Sequence, residues 1–156
     1  MSAVAERLAA LGIEVPAVSP PAGAYVPAII HGDLVFTAGQ LPFVDGKLGQ
    51  TGKVGDGPSL VSPVDAKAFA RLAAINALAA VQSVLGSLDR VTQVVKVVGF
   101  VASDPAFTGQ PGVINGASEL FGEVFGDAGL HARSAVGVAV LPLDSPVEVE
   151  LIVSFV

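Results

Sequence analysis

The chain has 156 residues, 52% of them hydrophobic and 14% charged, a net charge of −6 and no cysteine. That length suits one domain with a substantial core, residues 1–156, of which 1–22 form an N-terminal helix and linker. Acidity without any run of lysine or arginine argues against a nucleic-acid partner, and the missing cysteines exclude disulfides and thiolate sites. Two histidines without paired ligand spacing give no basis for a metal site.

In chain order, Ala3–Leu11 is expected to be a short helix ended by Gly12, and Val18–Gly23, with Pro20 and Pro21, a linker. Glu6 and Arg7 inside that first helical pattern do not fit a signal peptide. No uninterrupted apolar run approaches the ~20 residues of a membrane span. A cytoplasmic protein without a membrane partner is the expectation. Tyr25–Ile30 and Leu34–Ala38 flank the turn signal His31-Gly32-Asp33 and predict a hairpin, with Pro27 placing the first strand near an edge. Phe43–Ser62 holds five glycines and reads as an irregular loop with room for a short strand. No GKS or GKT follows it, so it is not a phosphate cradle.

Val64–Leu85 is the longest predicted helix, capped by Ser62, opened by Pro63 and ended by Gly86. Its alanine-rich sequence predicts burial over much of its circumference. Asn76 is therefore expected to be a buried amide tied to nearby backbone. Asp89–Ser103 is a Val-rich strand, broken by Asp104-Pro105. Gln110–Phe125 is a second long helix with the stripe Val113, Ala117, Leu120, Val124, from which Asn115 points away. Ser134–Val140 and Val147–Phe155 are the last strands.

Beyond the N-terminal helix the order is ββαβαββ. It predicts an α+β layer, a mixed sheet with two helices packed on one face. The strands are apolar on both parities, so the uncovered face is expected to meet other subunits.

The stretch "HARSAVGVAVLPLDSPVEVELIV", His131–Val153, contains the last arginine of the chain, Arg133, at the head of an apolar run. On residue type alone Arg133 is either an exposed strand-start charge or an anion ligand. Glu148 is either a solvated partner of Glu150 or a functional carboxylate. Tyr25 is a core ring or a pocket ring, and Asn115 an exposed helix residue or a pocket amide.

"ARSAVGVAVLPLDSPVEVE", together with "YVPAIIHGDLVFTAGQLP" and "VINGASELFGEVFG", resembles three ordered signatures of the RidA family, also called the YjgF family, over roughly Gly23–Val153. The resemblance implies a chorismate-mutase-like fold and a homotrimer. It also implies cofactor-free hydrolytic deamination of reactive 2-imino or enamino acids to 2-oxo acids. Residue by residue, it implies that Arg133 grips the substrate carboxylate, Tyr25, Gly39 and Asn115 line the pocket, and Glu148 serves the hydrolytic water. Ala135 stands where many members have cysteine. The N-terminal helix and the glycine-rich loop mark a longer subgroup. The alternative function is a non-catalytic trimeric module that binds small carboxylate metabolites.

The proposed chemistry needs little equipment. An arginine fork pairs with a planar carboxylate, a carboxylate activates water, and a glycine admits a close approach. If "LPLDSP" closes a tight hairpin, Arg133 and Glu148 lie roughly 20 Å apart along one chain. One pocket would then draw them from neighbouring subunits.

Overall fold

Where the chain carries long runs of alanine and valine, it builds a helical layer on a sheet. The computed structural model describes residues 2–156. Helix α1 spans Ala3–Ala10, strands β1 and β2 span Ala28–His31 and Leu34–Thr37, and the two-residue strands β3 and β4 are Phe43–Val44 and Lys47–Leu48. Helix α2 spans Pro63–Leu85, β5 Val91–Ala102, α3 Gln110–Phe125, β6 Ala132–Val138 and β7 Val147–Phe155.

The Ser62 hydroxyl accepts from the Asp65 N–H, and Pro63 opens α2 where a missing N–H costs nothing. This helix is long and apolar enough to cross a bilayer, yet 56% of its most apolar window lies buried inside the fold. Ala66, Ala70, Ala73, Ala77 and Ala80 are fully buried. Small side chains there let α3 come close: a Cβ built on Gly116 would sit 2.0 Å from the Lys67 carbonyl oxygen, so only glycine fits. Asn76 donates to the carbonyls of Leu41 (2.9 Å) and Phe43 (3.0 Å), the satisfied buried amide expected of it. Helix α1 docks Leu8 into the core, and Arg7 donates to the Val124 carbonyl at the end of α3.

The five-stranded sheet has the order β1-β2-β7-β5-β6. β7 is antiparallel to both neighbours, β2 and β5, whereas β5 and β6 are parallel. The chain thus makes two strand–helix–strand crossovers, and β7 inserts into the gap left by the first. This is the mixed α+β sheet with two helices that the element order predicts. One expectation fails: "LPLDSP" does not close a β6–β7 hairpin. The segment carries a 3-10 turn at Pro142–Asp144, and β5 lies between the two strands. β5 is twelve residues long and pairs along both edges, so it outcompetes the local hairpin.

Alternation along β5 is also broken. Register shifts at Val91/Gln93 and Val94/Lys96 let Val94 join Val97 and Val101 under the helices. Lys96, Val98 and Phe100 face the other way, half-buried, on the side of the sheet that no helix covers. Phe36 and Ile152 lie in the same cross-strand row as Lys96.

Candidate functional site

Arg133 enters the sheet in register with Val97, whose side chain is fully buried on the helix-covered face. Its guanidinium therefore reaches α3. Nη1 donates to Asn115 Oδ1 (2.8 Å) and Ser118 Oγ (3.2 Å), and Nη2 to the Pro111 carbonyl (3.2 Å). Three of the five guanidinium donors are thereby used. The remaining two have no partner among the described residues. The head group is held in place with a free donor edge, the preparation that a carboxylate fork requires.

Ser118 belongs to a longer chain of bonds. His131 Nδ1 lies 2.6 Å from the Gly129 carbonyl, which can only accept, so Nδ1 carries the proton. In the neutral ring Nε2 then accepts from the Ser118 hydroxyl at 2.8 Å, leaving the Ser118 lone pairs for Arg133. The imidazole stands edge-on to Phe121, with centroids 6.1 Å apart. Nothing in the sequence singled out Ser118, which lies one helical turn after Asn115 on the same face.

Glu148 is elsewhere. It pairs with Phe100, three positions along β5 from the partner of Arg133, so its side chain projects on the uncovered face. The two backbones are separated by about 14 Å, with β5 between them. They are closer than a hairpin would place them, yet on opposite faces of one sheet. One chain cannot bring the two groups onto one small ligand.

Glu148 lines a cavity of about 370 Å³ together with Tyr25, Gly39, Gln40, Leu143 and the linker residues Ser19–Ala22. The Tyr25 hydroxyl accepts from the Ala22 N–H at 3.2 Å and keeps its own proton for donation. Burial pushes the Glu148 carboxyl above its ordinary value, and the charge on Glu150 adds to the effect. The carboxylate makes no side-chain hydrogen bond among the described residues. The structure thus gathers the five candidate residues into two half-sites, Arg133 with Asn115 and Glu148 with Tyr25 and Gly39.

Gly39 controls the second half. A Cβ at this position would sit 1.8 Å from Glu148 Oε1 and 2.7 Å from its Cδ. The obstacle is the mobile end of a side chain, so Gly39→Ala should fold with a change in stability below about 1 kcal/mol while driving the carboxylate out of position. Any activity that uses Glu148 is expected to fall about 100-fold or more. Thermal unfolding alongside a turnover assay checks both halves of that expectation.

A layer of two helices on a mixed sheet with these half-sites defines a chorismate-mutase-like protein. Residues 5–155 match the family described as "YjgF/chorismate mutase-like, putative endoribonuclease", and the chain belongs to that family. Protein TCP17 of Trypanosoma cruzi is 44% identical over 151 residues, 96% of this chain and 92% of its own. The crystal structure of Atu1372 from Agrobacterium tumefaciens, a protein of unknown function, is 42% identical with a TM-score of 0.90, over 99% of this chain and 93% of that one. TdcF of E. coli with bound serine is 26% identical with a TM-score of 0.63, over 90% and 94% of the two chains.

Proposed function

We propose that this chain is a cofactor-free hydrolytic deaminase of reactive 2-imino and enamino acids, working at sites completed between the subunits of a homotrimer in the cytoplasm. The observation that carries the reading is the split site. A pre-oriented arginine with free donors lies on one face of the sheet, and a half-buried, unbonded carboxylate beside a cavity lies on the other. Each half is incomplete alone, and a cyclic assembly using the uncovered apolar face joins them three times over. The amino acid in the TdcF relative agrees with a small carboxylate as ligand. The net charge of −6 tells against the ribonuclease activity in the family description, because cleavage of RNA requires a surface that tolerates phosphates.

The chemistry balances without a cofactor. Arg133 and Asn115 hold the carboxylate of an iminium acid. Water attacks the C=N carbon while Glu148 takes its proton, giving a carbinolamine. Glu148 returns that proton to nitrogen. The carboxylate then removes the hydroxyl proton as the C–N bond breaks and passes it to the departing ammonia. Iminium plus water become 2-oxo acid plus ammonium, and Glu148 ends ionised as it began.

A flavin amino-acid oxidase that releases imines supplies the test. The wild-type chain is expected to raise the rate of 2-oxo acid formation above the buffer rate, and Arg133→Ala to return it to the buffer rate. Tight binding of 2-oxo acids with no acceleration would identify a carboxylate-binding module instead.

A further inference from the structure

The cavity beside Glu148, about 370 Å³, is lined mostly by apolar side chains. Glu148, Gly39 and Gln40 form one end. Ser19 and Tyr25 add hydroxyls, and the rest of the lining is apolar, chiefly Pro20, Pro21, Leu41, Phe43, Pro142 and Leu143. Two features of those walls call for explanation. First, the N-terminal arm is built into the site: Leu8 and Arg7 anchor α1, Val15 and Val18 pack on the core, and the Ala22 N–H bonds to the Tyr25 hydroxyl. The two prolines fix this strap in an extended form against the cavity. Second, Leu143 is 64% exposed and has φ 57°. Left-handed backbone disfavours leucine, and exposure wastes its apolar surface. Leu143 shares this turn with Asp144, whose φ is also 57°, and the turn holds its apolar side chain at the cavity.

We infer that the cleft between the arm, Ser19–Ala22, and Leu143 is the subsite for the substrate's side chain, and that it selects branched aliphatic or aromatic side chains over a methyl group. No lysine, arginine or histidine lines the cavity, and Glu148 repels anions, so acidic side chains are rejected as well. This assignment deepens the proposed function and rests on its placement of the reacting carbon near Glu148. It assigns the arm a specific role, supplying the apolar wall that discriminates among substrates.

The test is equilibrium binding of 2-oxo acids, which needs no turnover. Isothermal calorimetry on the full chain compares pyruvate, 4-methyl-2-oxopentanoate and 2-oxoglutarate. The wild type is expected to bind 4-methyl-2-oxopentanoate about tenfold or more tightly than pyruvate, and 2-oxoglutarate no better than pyruvate. Leu143→Asn retains side-chain bulk, tolerates positive φ and removes the apolar contact. Pro20→Gly with Pro21→Gly loosens the strap without touching its anchor. Each is expected to cut the preference below about threefold. Equal affinity for the first two acids in the wild type, including no binding of either, overturns the inference. So does a preference that survives in both variants. Selective binding without accelerated imine hydrolysis upholds the subsite and overturns the deaminase, so the two failures are distinguishable.

Discussion

Glu148→Gln is expected to abolish imine hydrolysis and, at the same time, to stabilise the protein at neutral and alkaline pH. The stability half follows from the carboxyl's surroundings. Burial and then Glu150 raise its folded pKa above the unfolded one, so the fold binds the proton more readily than the unfolded chain does. Stability from this group is therefore fully present below the ordinary carboxylate range and is lost as pH rises through the raised value. Glutamine keeps the shape without the charge. The melting temperature of the variant should exceed the wild type's at pH 8, and the two should converge near pH 4, below the ordinary glutamate value of about 4.3. The activity half follows from the role of base. Loss of that role is expected to lower kcat by about 100- to 10,000-fold. In the wild type, the acid limb of kcat/KM should fall above the range of a solvated carboxylate. An unchanged melting temperature at pH 8 would refute the burial argument, and activity within tenfold of wild type would remove Glu148 from the reaction.

The same residue shows why a protein stores a charge where it is uncomfortable. A carboxylate in water is too weak a base to help much, and a fully buried one cannot reach water. On the uncovered face of the sheet, beside Gly39 and an open cavity, Glu148 lies between the two. The alternation of β7 makes this possible: Val147, Val149, Leu151 and Val153 are buried under the helices, so Glu148 and Glu150 must point the other way. Arg133 obeys the same rule with the opposite result. Its register with Val97 sends it to the helix side, where α3 provides Asn115, Ser118 and the Pro111 carbonyl.

Local signals in the sequence identified the elements well and the strand order poorly. Gln110–Phe125 and Val147–Phe155 are read at their observed ends because Pro111, Gly126 and Pro146 punctuate them. Asn76 was legible because an amide on an apolar helix must find backbone partners. The β6–β7 hairpin was misread because Pro, Asp and Ser in "LPLDSP" are turn residues whichever strands they join. Which strand fills the place between them depends on non-local pairing to β5, and no local signal encodes that. The shift at Val94/Lys96 is equally silent: a run of valines looks the same on either parity, so the face of Val94 cannot be read from its neighbours. Tyr25, expected to open the first strand, lies outside it, since β1 begins at Ala28, and its hydroxyl is taken up by the linker instead. The role of the linker was illegible because two prolines exclude helix but do not say what the extended chain lies against.

Mixing two inactive variants should restore activity. Arg133→Ala retains Glu148, and Glu148→Gln retains Arg133. If each site takes Arg133 from one subunit and Glu148 from its neighbour, a mixed trimer contains some sites in which both groups are intact. With equal amounts and random exchange, each ordered pair of neighbours has the productive combination with a chance of about one in four, so about a quarter of wild-type activity is expected. The register across β5 makes this a strong expectation, because it places the two groups on opposite faces of one chain. The measurement is 2-oxo acid release after the two variants are unfolded and refolded together, with sedimentation establishing the trimer's mass. Refolding each variant alone should give only the buffer rate. No recovery from the mixture, in trimers shown by mass spectrometry to contain both chains, would mean that Arg133 and Glu148 do not act across one interface. Recovery near a quarter would instead establish that the catalytic unit is the boundary between two copies of this chain.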